Sequence, residues 1–347
     1  MTLRGRKILV TGHTGFKGSW LSMMLQEQGA EVSGFALPPP TSPALFDIAQ
    51  VEAELVHHII GDVRDANALF AALEVVQPEI IFHLAAQPLV RASYAEPIDT
   101  FAVNIMGTAN LLEATRQCES VRSVVNVTTD KCYQNNEWPW AYRENEALGG
   151  RDPYSASKAC SEIVTSAYRE SFLAHAGVAI ASARAGNVIG GGDWAEDRLL
   201  PDFYRALQAG QSLEIRSPDA IRPWQHVLEP LSGYIALAGA ALSAPNDFAK
   251  AWNFGPYDVD AQPVRWILDQ LCHRHEGAKW HLSKGEHVHE AHYLKLDSSL
   301  AIGALNWSPK WSLAQALEKT ASWHEALNKG ADMRAFSRAQ IAEHKSC

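Results

Sequence analysis

Four chemically active side chains, Thr128, Thr129, Asp130 and Lys131, close the apolar run "VRSVVNV". Two hydroxyls, a carboxylate and an ammonium side by side can hold, donate and accept protons. A run of that composition reads as a strand buried in a sheet, so its end delivers all four groups to one place. Further along, "PYSASKA" sets Tyr154 and Lys158 at i and i+4, on one face of a helix. A nearby ammonium favours phenolate over phenol. Moving a phenol from a pKa of about 10 to about 7 takes roughly 4 kcal/mol, within reach of two positive charges in a dry site. Such a tyrosine removes a proton from an alcohol while the alcohol carbon gives up a hydride.

A hydride needs an acceptor. "TGHTGFKG" places Gly12, Gly15 and Gly18 between the first strand and the first helix. Glycines there let the backbone turn tightly and let a pyrophosphate approach the amides at the helix N-terminus. The turn opens a βαβ series, which is the context that makes it a dinucleotide site. In such sites an acidic residue about 20 positions on holds the ribose hydroxyls. Here the second strand ends in "GFALPPP", with neither an acid nor an arginine at Phe35, Ala36 or Leu37. Asp62, at the end of the third strand, is placed either for the adenine region or as a turn residue at the helix entry. The expectation is NAD rather than NADP, held without the usual ribose clamp.

The elements that must position these residues are readable from their alternation. "KILVTG", "EVSGFAL", "HHIIGDV", "EIIFHLAA", "SVVNVTT" and "VAIASARAGNVIG" are short apolar strands separated by helices, one of them capped by Asp65. This predicts an α/β chain with a Rossmann-type doubly wound parallel sheet and a ligand crevice at the strands' carboxyl ends. After about residue 190, Pro, Trp and Gly rise and the alternation is lost. The 347 residues are therefore divided into a dinucleotide-binding domain over 1–188 and a smaller mixed α/β substrate domain over 189–347. A helix over about 226–245 is expected to return to the first domain, and the last fifteen or so residues read as a polar helical tail. The net charge of −9 excludes a general nucleic-acid binder. No long apolar run predicts a membrane span, and the N-terminus carries no signal-peptide pattern. Five scattered cysteines without a CxxC pair fit reduced thiols in a cytoplasm.

With these motifs in order, the chain resembles the extended short-chain dehydrogenase/reductases acting on nucleotide sugars. "TGHTGFKG", "HLAAQ", "NIMGT", "TTDKCY", "YSASK", "ARAGNVIGGGD" and "RPWQHV" carry the resemblance. "AAQPLVRASY", "TTDKCYQNNEW" and "GGGDWAEDRLLPD" look most like the branch of its 4,6-dehydratase group that acts on CDP-glucose. The resemblance implies a redox-neutral reaction in three parts: C4 oxidation, loss of water across C5 and C6, and return of the hydride to C6. It implies that Thr129 and Tyr154 serve the C4 oxygen, Asp130 is acid to the C6 hydroxyl, and Lys131 lies where a C5 base is needed. Lys131 is either that base, in its neutral form, or a charged stabiliser of the enolate. Thr14, Phe16, Val63, Leu84, Ala85, Ala86 and Thr128 join the glycines, Asp62, Tyr154 and Lys158 around the cofactor. Gln87, Asn187, Arg198 and Arg222 are expected on the substrate, the arginines for their bidentate fit to phosphate. The family's pairing of its two long helices across a two-fold axis implies a homodimer. The aromatic-rich loop "NNEWPWAYRENEALGGRD" either covers the site or packs as an ordinary loop. His281, His287, His289 and His292 are read as surface histidines, since the implied chemistry needs no metal. The rival readings are a 4,6-dehydratase for another nucleotide sugar, since no named residue reads the cytosine; a nucleotide-sugar 4-epimerase, which has no use for an acid–base pair at C5 and C6; and a silent NAD-binding scaffold, which has no use for intact Thr129, Tyr154 and Lys158.

Overall fold

Six strands of the first half alternate with helices in the computed structural model, which describes residues 3–284 and 293–347. They are β1 (Lys7–Thr11), β2 (Glu31–Ala36), β3 (His57–Ile60), β4 (Ile80–His83), β5 (Ser123–Val127) and β6 (Ala179–Ala185). All pair in parallel. β5 and β6 are buried along their whole length, which is why they read as continuous apolar runs rather than alternating ones.

Short strands then build the second lobe: β7 (Val188–Ile189), β8 (Leu213–Ile215), β9 (Ile221–Pro223) and β10 (Gln225–His226). β11 (Ala251–Phe254) goes back to the large sheet, and β12 (Ala261–Pro263) and β13 (Trp280–Leu282) pair with β9 and β8. The large sheet has seven strands in the order β11-β6-β5-β4-β1-β2-β3. The sequence reading counted six. β11 escaped it because a four-residue apolar run among Pro and Gly carries no usable period. Trp252 and Phe254 of β11 are fully buried beneath the helix Leu228–Ser243. The return to the sheet thus runs past residue 245.

The C-terminal segment is helical as expected, over Met333–Ser346, but it is packed on the core rather than a solvated tail. Met333 and Ile341 join the core around Trp20 and Trp323. His344 Nε2 lies 3.0 Å from Glu229 Oε1, and Glu229 also accepts from the amides of Lys310 and Trp311. Only one stripe of this helix is apolar, so its composition looked polar while its inner face is buried.

β1 lies between β4 and β2, and the connections leave it in opposite directions. That reversal opens the crevice. Gly12 closes β1 with φ +75, and a Cβ there would stand 2.7 Å from the Ala85 amide nitrogen. Only glycine lets the turn after β1 and the turn after β4 approach so closely.

Candidate active site

A cleft of about 1200 Å³ follows the carboxyl ends of the strands. That exceeds the roughly 300–1,000 Å³ that holds one small ligand. At one end are Gly12, Thr14, Gly15, Phe16, Gly18, Asp62, Val63, Leu84, Ala85 and Ala86. Thr128, Thr129, Asp130, Lys131, Tyr154 and Lys158 form the middle, and Asn187, Arg198 and Arg222 line the cleft with them, Arg198 near Lys17 and Tyr154 and Arg222 near Asp130. Gln87 is the exception among the expected residues. Its amide nitrogen donates to Thr100 and its oxygen accepts from the Leu89 amide. The side chain shapes the turn after β4 and is not part of the cleft wall.

The first end suits a dinucleotide. The helix Phe16–Glu27 starts at Gly15 with no side-chain cap and no acid in its first turn. Its leading amides therefore lack intrahelical partners and present a partial positive charge to the cleft. A Cβ at Gly18 would fall 2.1 Å from Gly12 O, whereas one at Gly15 would meet only Gly12 O, at 3.4 Å. Gly18 serves close packing, and Gly15 leaves its amide side open. Thr14 Oγ1 donates to Leu37 O at 2.8 Å and ties the turn to the end of β2. Phe35 points into the core against Gly61, so Ala36, the last residue of β2, and Leu37 just after it stand in the cleft wall. The Asp62 carboxylate is gripped by Arg64, whose Nε lies 2.9 Å from Oδ2, and that contact holds its pKa low.

In the middle, the helix Pro153–Tyr168 brings Tyr154 and Lys158 to the end of β5. Asp152 caps it by accepting from the Ser155 amide at 2.9 Å, and Pro153 suits its first turn. Asp130–Cys132 form a single 3-10 turn capped by Thr129. The Thr129 hydroxyl donates to Asp130 Oδ1 at 3.0 Å and lies close enough to the Tyr154 phenol to draw its pKa down. Asp130 is 1% exposed, with Oδ2 unpartnered among the described residues. A Cβ at Gly186 would stand 3.0 Å from that oxygen, so the glycine of "RAGNV" gives the carboxyl its room. Burial pushes the Asp130 pKa up, against the pull of Lys131, Thr129, Arg222 and Lys17. A carboxyl that keeps its proton is what an acid to a leaving hydroxyl requires. Lys131 Nζ sits 6.0 Å from the Tyr154 ring centre.

Burial pushes the Tyr154 phenol up to about 12, opposed by the Thr129 hydrogen bond and by Arg198. Burial lowers Lys158 to about 8, with Glu162 pulling the other way. Lys158 Nζ donates to Val127 O at 3.3 Å, at the very end of β5.

Some functional residues escaped sequence reasoning. Lys17, inside the glycine turn, faces Arg198, Asp130, Lys158 and Asp193, and burial lowers it to about 8. Asp193 holds Arg198 by a 2.9 Å ion pair. Glu162 forms a buried pair with Arg184 at 2.8 Å. It also accepts from Thr128 at 2.5 Å and Ser182 at 2.6 Å. Thr128 thus lines the cleft while anchoring the floor beneath Lys158. A signal was present: Tyr154, Lys158 and Glu162 follow one another at intervals of four on a single helix face.

The loop after β5 is an ordinary packed loop with one working edge. Trp138 stacks on Trp140 at 4.8 Å and leans on Tyr142, and neither tryptophan lines the cleft. Asn135, Glu137, Arg151 and Asp152 do. His281 is exposed on β13 and bonds Ser212; His287, His289 and His292 lie outside the described residues. Among the described residues no His, Cys, Asp and Glu cluster is arranged to hold a metal, and no helix is long and apolar enough to cross a membrane.

Residues 9–251 match the family model described as GDP-mannose 4,6 dehydratase. The CDP-glucose 4,6-dehydratase of Salmonella typhimurium is 51% identical over 99% of this chain and 97% of its own length. Two solved structures share the fold. The UDP-glucuronic acid 4-epimerase from Bacillus cereus, in complex with UDP-glucuronic acid and NAD, superposes with a TM-score of 0.80 at 23% identity, covering 92% of this chain and 99% of that one. The dTDP-glucose 4,6-dehydratase from Bacillus anthracis, in complex with NAD, gives 0.77 at 19% identity, covering 94% and 99%.

Proposed function

The chain belongs to the GDP-mannose 4,6 dehydratase family, and we propose that it removes water from CDP-glucose to give CDP-4-keto-6-deoxyglucose. The observation that carries this reading is the placement of Asp130 and Lys131 beside Thr129 and Tyr154 in one cleft. A 4-epimerase leaves the first pair without work. CDP is the nucleotide because the 51% identical relative acts on CDP-glucose. Tyr154 takes the C4 hydroxyl proton, and Thr129 hydrogen-bonds the C4 oxygen. The resulting 4-ketone acidifies the C5 proton. Asp130 protonates the departing C6 hydroxyl, and Lys131 serves the C5 side, as base or as the cation that steadies the enolate. Arg222, Asn187 and Arg198 face the diphosphate. Bound at the glycine end, NAD would accept the C4 hydride and deliver it to C6. The test is incubation with CDP-, dTDP-, UDP- and GDP-glucose and NAD. The CDP sugar alone is expected to yield the alkali-induced chromophore and product mass of a 4-keto-6-deoxy sugar; no such product from any of them overturns the reading.

The cofactor end carries a quantitative expectation. A hydrogen bond to a charged group is worth about 1.5–3 kcal/mol net. Without an acid at the end of β2, NAD affinity is lower by about one to two powers of ten than in relatives that have one. Purified protein is therefore expected to carry substoichiometric NAD, measured after acid release, and to gain activity when NAD is added. Ala36→Asp is expected to tighten NAD in a binding titration without changing the product. Fully loaded protein indifferent to added NAD, or stronger stimulation by NADP, counts against this account.

The protein acts as a homodimer in the cytoplasm. Its five cysteines are free thiols. Ile98, Met106, Ile163 and Phe172 are exposed on the two long helical stretches Pro97–Gln117 and Pro153–Leu173, which pack on each other. Side chains this apolar suit a second copy of the same face. Sedimentation at micromolar concentration is expected to show dimers, and Ile163→Asp to shift them to monomers. Wild-type monomers at that concentration contradict the assignment.

A further inference from the structure

The proposed dehydration, on which this inference rests, leaves two protein groups in the wrong protonation state after each cycle. Tyr154 phenolate takes the C4 hydroxyl proton as hydride leaves C4. The C5 proton passes to the base, and the C5–H electron pair becomes the C5–C6 double bond. The C6–O bond breaks with its electrons going to oxygen, which takes the Asp130 proton and departs as water. Hydride then adds to C6, and the base returns its proton to C5. Hydride and base cancel. Tyr154 ends protonated and Asp130 ends ionised, so one proton must travel from phenol to carboxylate before the next turnover.

The site already contains the connection. Thr129 Oγ1 donates to Asp130 Oδ1 at 3.0 Å, and it shares the cleft wall with Tyr154, near enough to draw the phenol's pKa down. The hydroxyl also accepts from the Lys131 amide at 3.3 Å, which fixes its direction. Its backbone is extended, with φ −153 and ψ 159, as befits the cap of the Asp130–Cys132 turn. All three groups are buried: Tyr154 is 8% exposed, Thr129 6% and Asp130 1%.

We infer that Thr129 is the proton relay that resets the site between turnovers. The phenol proton moves to Thr129 Oγ1 as the hydroxyl's own proton moves to Asp130 Oδ1. No charge develops on Thr129, and its hydroxyl then donates to the restored phenolate. The hydroxyl thus serves both halves of the cycle, first the C4 oxygen and then the return of the proton.

Thr129→Val keeps the shape and removes the hydroxyl, and Thr129→Ser keeps it. First-turnover and steady-state rates are measured by rapid quench beside wild type. Resting enzyme has equilibrated with solvent, so the first turnover in Thr129→Val suffers only the lost C4 contact. Its steady-state rate is expected to fall further, by about tenfold or more relative to its own first turnover. Added azide, a small proton carrier, is expected to restore the steady state and leave the first turnover unchanged, and Thr129→Ser to stay within about threefold of wild type in both phases. Equal slowing of the two phases in Thr129→Val, or a Thr129→Ser enzyme as slow as Thr129→Val, overturns the relay. A wild-type enzyme that forms no 4-keto-6-deoxy sugar instead overturns the dehydratase reading beneath it.

Discussion

Tyr154→Phe is expected to fold normally and to lose turnover by about 10²- to 10⁴-fold, the usual worth of a positioned proton-transfer group. The ring stays, so the packing at this buried position is retained. What goes is the phenol oxygen, the group placed to take the C4 proton. The protein's own groups leave that phenol at about 12 because burial outweighs Thr129 and Arg198. Ionising it is therefore part of the barrier. Activity rises with pH as the phenolate fraction grows, and the substituted enzyme loses that limb of the pH profile. Circular dichroism and thermal unfolding like wild type, with no residual pH-dependent limb, is the expected result. Wild-type rates from Tyr154→Phe remove the base from the mechanism.

Asp130→Asn separates the steps. The carboxamide fills the same volume, and since burial already favours the neutral acid, the fold loses little. Asn cannot hand a proton to a leaving hydroxyl. C4 oxidation proceeds, elimination slows by about 10²- to 10⁴-fold, and the 4-keto hexose with its 6-hydroxyl in place accumulates. Mass analysis of quenched reactions reads it directly. Normal dehydration without that species takes Asp130 out of the chemistry.

Much of the site was legible because its elements announce themselves locally. Gly12, Gly15 and Gly18 sit where a strand turns into a helix, and the run from Thr128 to Lys131 sits where an apolar strand stops. Tyr154 and Lys158 share a helical period. The remainder depends on contacts that sequence spacing does not encode. Glu162 and Arg184 meet across a helix and β6, and Asp193 is tied to the site only through Arg198. Gln87 was misplaced because a polar residue after "HLAA" can face the cleft or its own turn, and the choice falls to Thr100 and Leu89. β11, and the burial of the helix Met333–Ser346, were missed for a related reason. Their burial is set by a tertiary surface assembled from distant segments, while their own composition is unremarkable.

The position of β11 at the sheet's outer edge has a consequence for how the chain is made. During synthesis, β6 emerges well before β11, with the whole of residues 186–250, the covering helix among them, between the two strands. Until then β6 offers an unpaired edge of fully buried type, and such edges recruit other strands. The helix Met333–Ser346, which joins the core around Trp20 more than 300 residues earlier in the chain, arrives later still. The nascent chain therefore cannot complete its dinucleotide lobe first and add the second lobe afterwards. Folding closes over nearly the full length, slowly and with an aggregation-prone interval. A fragment cut after residue 188 lacks β11, its covering helix and the C-terminal helix together, and it leaves the β6 edge unpaired.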